Sequence, residues 1–276
     1  LPIYVQVEPY FIPKNIDLGI DFNINNMNYE NLDLHQVNGN VILKNQKAYT
    51  NLSTRTNLGK INLIALYDSE NKEKIQTKFD LKLKDVLVAQ IHKTMPTVTT
   101  LFPMVASMDG LIDCHLTLSS QLNNQMLPIL NTTEAICALD GENLTLFDHE
   151  VFKNIAKKLR FKNKEKNVID QLSTNIILQN NQVEIIPFLV KWDRYKAIIG
   201  GTHTTDSIYN YHITMLESPI PTDLGVNLSG KADDLHYKFG KCKYKDLYKD
   251  DGKKHQKDTK ERLNLEREKI IKQIMP

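Results

Sequence analysis

The chain has 276 residues, a formal net charge of +2, a charged fraction of 25% and a hydrophobic fraction of 41%. That balance is ordinary for a globular protein able to bury a sizeable core, and it offers no basic surface of the kind nucleic acid requires. No run approaches the ~20 apolar residues of a membrane-spanning helix and no secretory leader is recognisable.

In chain order, the first signal is Ile16-Asp17-Leu18-Gly19-Ile20-Asp21-Phe22-Asn23-Ile24, where every apolar side chain falls on an even position. In a pleated strand these side chains share one face and the polar ones the other. The same period returns at 61–67, 75–83, 112–118 and 209–215. Polar turns are expected at Asn25-Asn26, Asn38-Gly39-Asn40, Lys44-Asn45-Gln46-Lys47 and Asp68-Ser69-Glu70-Asn71, short connections of the kind that join the strands of a meander. From Val86 to about Lys93 the alternation stops, and a short helix is expected, followed by an irregular link punctuated by Pro96 and Pro103.

Strands resume at Gly110 and continue, past an interruption at Met126-Leu127-Pro128, through 135–139 and 144–146. An amphipathic helix is expected over 148–161, capped by Asp148, with Val151, Ile155 and Leu159 on one stripe and Lys157, Lys158 and Arg160 at its carboxyl end. It should lie on the sheet. Further strands follow at 172–178 and 183–188, joined by Asn180-Asn181, a pair suited to a hairpin turn with positive φ angles. Beyond about Lys241 the composition turns to lysine, aspartate and glutamate, which predicts a charged tail, helical in part and loosely attached.

Little in the chain points to catalysis. Cys114, Cys137 and Cys242 are odd in number and form no CxxC pair, which argues against a disulfide framework or a zinc ribbon. The eight histidines form no HxH, HxxxH or HExxH pair, and no GxSxG elbow is present. Gly200-Gly201-Thr202 lacks the lysine of a phosphate loop and reads as a strand end or bulge. The lysines at 153–166 read as a solvated helix face, with anionic lipid headgroups as the second reading. No catalytic residue, metal ligand or cofactor site is assigned.

Several consecutive segments resemble the carboxyl-terminal region of AsmA-like proteins, particularly the divergent forms of Bacteroidetes-type bacteria. These are Ile12-Pro13-Lys14-Asn15-Ile16-Asp17, then Leu34-His35-Gln36-Val37-Asn38-Gly39-Asn40-Val41, then Leu127-Pro128-Ile129-Leu130-Asn131. The nearest similarity spans 152–220, through Ile169-Asp170-Gln171-Leu172, Gln182-Val183-Glu184-Ile185-Ile186-Pro187-Phe188, Gly200-Gly201-Thr202-His203 and Tyr209-Asn210-Tyr211-His212-Ile213. The resemblance implies a β-rich periplasmic body of a Gram-negative envelope, anchored to the inner membrane by an amino-terminal helix lying outside this chain; the start at Leu1 agrees with a processed or cut form. It also implies a role in outer-membrane biogenesis, with phospholipid or another envelope lipid as ligand, envelope proteins as partners and no chemistry.

The expected fold is therefore mainly β: a long curved antiparallel sheet, an open groove or partial barrel, with one or two short amphipathic helices packed on it. Residues 1–240 would form the β-rich domain, with sub-sheets 1–93 and 104–240, and 241–276 the charged tail. Ile20, Phe22, Leu63, Phe79, Leu81, Leu116 and Leu118 are the candidate lipid-groove residues. Three alternatives stay open. The apolar face can be the core of a closed sandwich or barrel; the chain can be a scaffold acting through sheet edges or the charged tail; or it can be a carbohydrate-active enzyme or glycan binder, with Trp192, beside Asp193, Arg194 and Tyr195, as its aromatic platform.

Overall fold

Strands whose side chains alternate between apolar and polar can pair with their immediate neighbours and keep all the apolar groups on one side. Pairing of each strand with its immediate neighbour runs through the whole computed structural model, which describes residues 9–29, 32–57, 59–94, 108–146, 167–192, 195–217, 224–231 and 234–274. Thirteen strands form one antiparallel sheet in chain order. They are β1 (Asp17–Tyr29), β2 (Leu32–Lys44), β3 (Lys47–Thr56), β4 (Gly59–Asp68), β5 (Gln76–Leu87), β6 (Met108–Gln121) and β7 (Glu134–Leu146). The second half continues with β8 (Asn167–Gln179), β9 (Gln182–Trp192), β10 (Tyr195–Thr204), β11 (Ile208–Glu217), β12 (Gly225–Lys231) and β13 (Asp234–Gly240). The two outermost strands, β1 and β13, do not pair with each other, so the sheet is not closed into a barrel.

The turns show which polar clusters bend the chain and which do not. Asn45 and Gln46 (φ 52° and 62°) and Asn180 and Asn181 (φ 52° and 61°) both take the left-handed pairs that two-residue hairpins require. The turns expected at Asn25-Asn26 and Asn38-Gly39-Asn40 do not form; these residues lie inside β1 and β2. There the asparagines serve the solvated surface, with Asn26 Oδ1 2.7 Å from His35 Nδ1 on the neighbouring strand. Gly39 is required by packing: a Cβ at this position would sit 3.0 Å from Phe22 Cζ and collide with the carbonyl of Asn51.

The loss of alternation at Val86 also has a local cause. The β5–β6 register slips between Leu83 and Val86, where Asp85 takes a positive φ of 58°. One extra residue changes the phase of the pleat, so that Val86 and Ile112 stay on the same face as Leu83 and Cys114. Val86, Ile112, Leu144, Ile169, Leu172 and Val190 then form one buried cluster together with Val88 of the short helix α1 (Val88–Thr94). The helix expected over 148–161, the link holding Pro96 and Pro103 and the lysine cluster at 153–166 lie outside the described residues.

The tail departs from the expectation of loose attachment. Its helix, α2 (Lys253–Ile271), packs on β5 and β6, and Thr259, Leu263 and Arg267 recur every four residues on its buried side. Only Leu263 of those three is apolar, so no stripe announces the docking in the sequence. Arg267 Nη2 reaches the His115 carbonyl at 3.4 Å, and Lys78 Nζ meets Gln273 Oε1 at 2.5 Å. Earlier in the tail, the Tyr248 hydroxyl donates to the Pro187 carbonyl at 2.7 Å.

His212 anchors the start of the tail. The backbone N–H of Lys243 donates to His212 Nε2 at 3.1 Å, which leaves Nδ1 to carry the proton toward Asn227 Oδ1, 2.9 Å away. Burial pushes His212 below the ordinary imidazole range, a bond to Asn227 works in the other direction, and the Lys243 charge lowers it further. A histidine with a depressed folded pKa contributes stability that is complete above the ordinary imidazole value and is lost as pH falls through the folded one. Hydrogen exchange of the Lys243 and Tyr244 amides is therefore expected to accelerate, relative to those of β6, between about pH 7.5 and about pH 5. Equal protection ratios at both values would show that His212 does not hold this joint.

Candidate functional site

Residues directly opposed in an antiparallel pair share a face, so the register identifies which side chains make continuous rows across the strands. Starting from Phe22, the row passes through Gly39, Leu52, Leu63, Leu81, Leu116 and Cys137. It continues through Ile176, Ile185, Gly201, Tyr211, Leu228 and Tyr237, one residue from every strand. A second row beside it runs from Ile20 through Val41, Thr50, Ala65, Phe79, Leu118 and Ala135. From there it passes to Leu178, Val183, His203, Tyr209, Gly230 and Leu235.

Neither row contains Asp, Glu, Lys or Arg, although a quarter of the chain is charged. At about 4.8 Å per strand step, twelve steps make an uncharged track about 58 Å long. All seven candidate residues lie on it. Phe22, Leu63, Leu81 and Leu116 belong to the first row, with the last three directly adjacent. Ile20, Phe79 and Leu118 belong to the second, and Phe79 faces Leu118. The residues missing from that set are chiefly those of β7 to β13, among them Ile176, Leu178, Val183, Ile185 and Leu228. Their alternation is visible in the sequence, but which of them align with β5 and β6 depends on the register.

Accessibility changes along the track. Ile20 is 47% exposed at the β1 edge, Leu63, Phe79, Leu81 and Leu116 are half-buried, and Val183 is fully buried. Leu118, Ala135, Ile176, Leu178 and Val183 form a buried cluster against which Phe79, Leu116 and Ile185 pack. Toward β13 the track turns aromatic. The His203 ring stacks on Tyr209 at 5.2 Å, and its Nδ1 lies 2.8 Å from the Tyr211 hydroxyl, whose pKa burial raises well above the usual phenol range. Two glycines let aromatic side chains lie across the first row: Phe22 covers Gly39, and Tyr211 covers Gly201. The Gly200-Gly201 pair falls at a register slip between Ile199 and Gly201, the bulge expected there.

The opposite face carries polar groups among apolar ones such as Ile64, Leu66 and Ile136, and over β5 and β6 it lies beneath the tail. Asp80, opposed to Thr117, accepts a hydrogen bond from the Thr117 hydroxyl at 2.6 Å and is 2.7 Å from His115 Nε2. Burial pushes the Asp80 carboxyl up, but the hydrogen bonds from His115 and Thr117 outweigh it and hold the group below the ordinary carboxylate range. Arg267 brings a buried cation toward this layer and has its own pKa lowered by burial. These groups tie α2 to the sheet. Among the described residues no group of three or more His, Cys, Asp or Glu is placed to hold a metal ion. Trp192 and Tyr195 are paired at the β9–β10 turn, while Asp193 and Arg194 lie outside the described residues. No described helix is long and apolar enough to cross a membrane.

No family model, curated protein or solved structure matches this chain.

Proposed function

We propose that this chain is a non-enzymatic lipid-binding β-groove module of AsmA-like type, acting in the periplasm of a Gram-negative envelope in outer-membrane biogenesis or phospholipid transport. The observation that carries the reading is the uncharged track crossing all thirteen strands. A track that holds no charge and stays at least half-accessible from β1 to β5 suits an acyl chain lying across the strands. Each buried methylene contributes about 0.8 kcal/mol, so a chain of about fourteen carbons gains on the order of ten kcal/mol before the costs of ordering it. The membrane anchor that the AsmA-like resemblance implies would lie outside this chain.

The test is native mass spectrometry and lipid extraction of protein purified from an envelope-bearing bacterial host. Phospholipid is expected to co-purify with the wild type. Phe79→Glu puts a carboxylate in the middle of the second row and is expected to weaken retention about a hundredfold, while Asn62→Glu, on the opposite face, leaves it unchanged. Folding of both variants is checked by circular dichroism. Absence of lipid from folded wild-type protein overturns the reading.

A scaffold role is favoured by one feature, the unpaired edge of β1. It is thirteen residues long and carries exposed Leu18, Ile20 and Ile24, with none of the lysines or prolines that usually blunt an edge. Lipid-free oligomers in the same spectra would select it.

A further inference from the structure

Cys114 on β6 and Cys137 on β7 stand 23 residues apart in sequence, with no motif joining them. The register brings them together. Cys114 opposes Leu139 and Leu116 opposes Cys137, which places both thiols diagonally on the apolar face with their sulfurs 3.5 Å apart. Both are thiols in this structure, and no other cysteine lies beside them; Cys242 Sγ is directed to the Met215 carbonyl, 4.0 Å away.

We propose that Cys114 and Cys137 form a dithiol–disulfide pair, a covalent modification site whose co-substrate is a disulfide-class oxidant such as glutathione disulfide or the disulfide of an oxidoreductase. A disulfide needs its sulfurs at about 2.05 Å, and closing from 3.5 Å takes side-chain rotation together with a small adjustment of the β6–β7 pairing, because diagonal neighbours stand farther apart than directly opposed ones. The chemistry balances as two exchanges. One thiolate of the pair attacks one sulfur of the oxidant, whose S–S bond breaks and releases one thiolate. The second thiolate of the pair then attacks the protein sulfur of the mixed disulfide and expels the other. Two electrons and two protons leave the pair, and the oxidant departs as two thiols.

The Arg267 charge favours the thiolate form of both cysteines against the opposing effect of burial, so either thiol can open the exchange and the other resolve it. The product adds no charge and removes two S–H donors, so the first row of the track stays apolar while β6 and β7 are stapled at its midpoint. The sequence gives no hint of this pair, because only the register makes the two cysteines neighbours.

Reduced full-length protein is equilibrated in glutathione disulfide, quenched by alkylation and read by intact mass and peptide mapping. The expected result is loss of two hydrogens, a peptide linking Cys114 to Cys137, and a thermal midpoint raised by about 6–10 °C that returns on reduction. Cys242→Ser is expected to behave as the wild type. Cys114→Ser and Cys137→Ser are each expected to form no intramolecular bond and to trap glutathione on the cysteine that remains. If either serine variant fails to fold, the wild type and Cys242→Ser still decide the matter. Two alkylated thiols at 114 and 137 after equilibration, or a bond from either to Cys242, overturns the proposal.

Discussion

Gly201→Val is expected to lower the unfolding free energy by about 4 kcal/mol, whereas Gly19→Val changes it by less than about 0.5 kcal/mol. Both glycines lie inside strands, Gly201 as one of a pair read as a bulge and Gly19 in a regular alternating run. Their surroundings set the difference. Gly201 sits at φ 150°, and a Cβ there would collide with the Asn210 carbonyl and stand 2.6 Å from Tyr211 Cα. Both obstacles are backbone of the adjoining strand, so relief requires β10 and β11 to part and their hydrogen bonds to stretch, beyond the conformational cost itself. At Gly19 no atom lies within 4 Å of the same Cβ. Denaturant titration of the two variants makes the comparison, and similar midpoints would show that the close approach at Gly201 is not structurally required. Because Gly201 belongs to the first row and lies beneath Tyr211, the same substitution is expected to disturb the aromatic end of the track before the β1 end.

Leu263→Asp is expected to release the tail without unfolding the sheet. Leu263 is 1% exposed and is the apolar member of the buried side of α2, whereas Leu265, two residues on, is 62% exposed. Losing the leucine costs about 3 kcal/mol, and the buried carboxylate adds to that. Where opening and reclosing are fast compared with cleavage, about 3 kcal/mol corresponds to a rise of about a hundredfold in the rate at which trypsin cuts the lysine-rich tail. Leu265→Asp supplies the control and is expected to leave the rate unchanged. Equal cleavage of the two variants would mean that Leu263 does not hold α2 on β5 and β6. Cleavage of the sheet as well would mean that the tail is part of its cooperative unit.

The strands were legible because burial on one face imposes a period of two on the residue pattern. The seven candidate positions were legible for the same reason, each an apolar residue in an alternating run. Asn180-Asn181 was also readable, since asparagine tolerates the left-handed conformation that a tight hairpin needs. The same residue type misled at Asn25-Asn26 and Asn38-Gly39-Asn40, where solvated positions inside β1 and β2 accept asparagine equally well. Val86 looked like the end of the alternation because a bulge at Asp85 shifts the phase of the pleat, and a one-residue slip is not visible without the partner strand. The docking of α2 escaped notice because Thr259 and Arg267 are not apolar, and they are buried by what they meet on the sheet.

By itself, the sequence determined that most of the chain pairs as strands and that the seven candidate positions are apolar members of alternating runs, both of which follow from the local periodicity of side-chain direction. Only the tertiary structure decided that the apolar positions align into two uninterrupted rows, that Cys114 and Cys137 meet, that the sheet stays open between β1 and β13, and that the charged tail lies on the face opposite the rows. These depend on the pairing register, which is set by hydrogen bonds and packing between residues distant in sequence. A one-residue slip would turn the same alternating strands over.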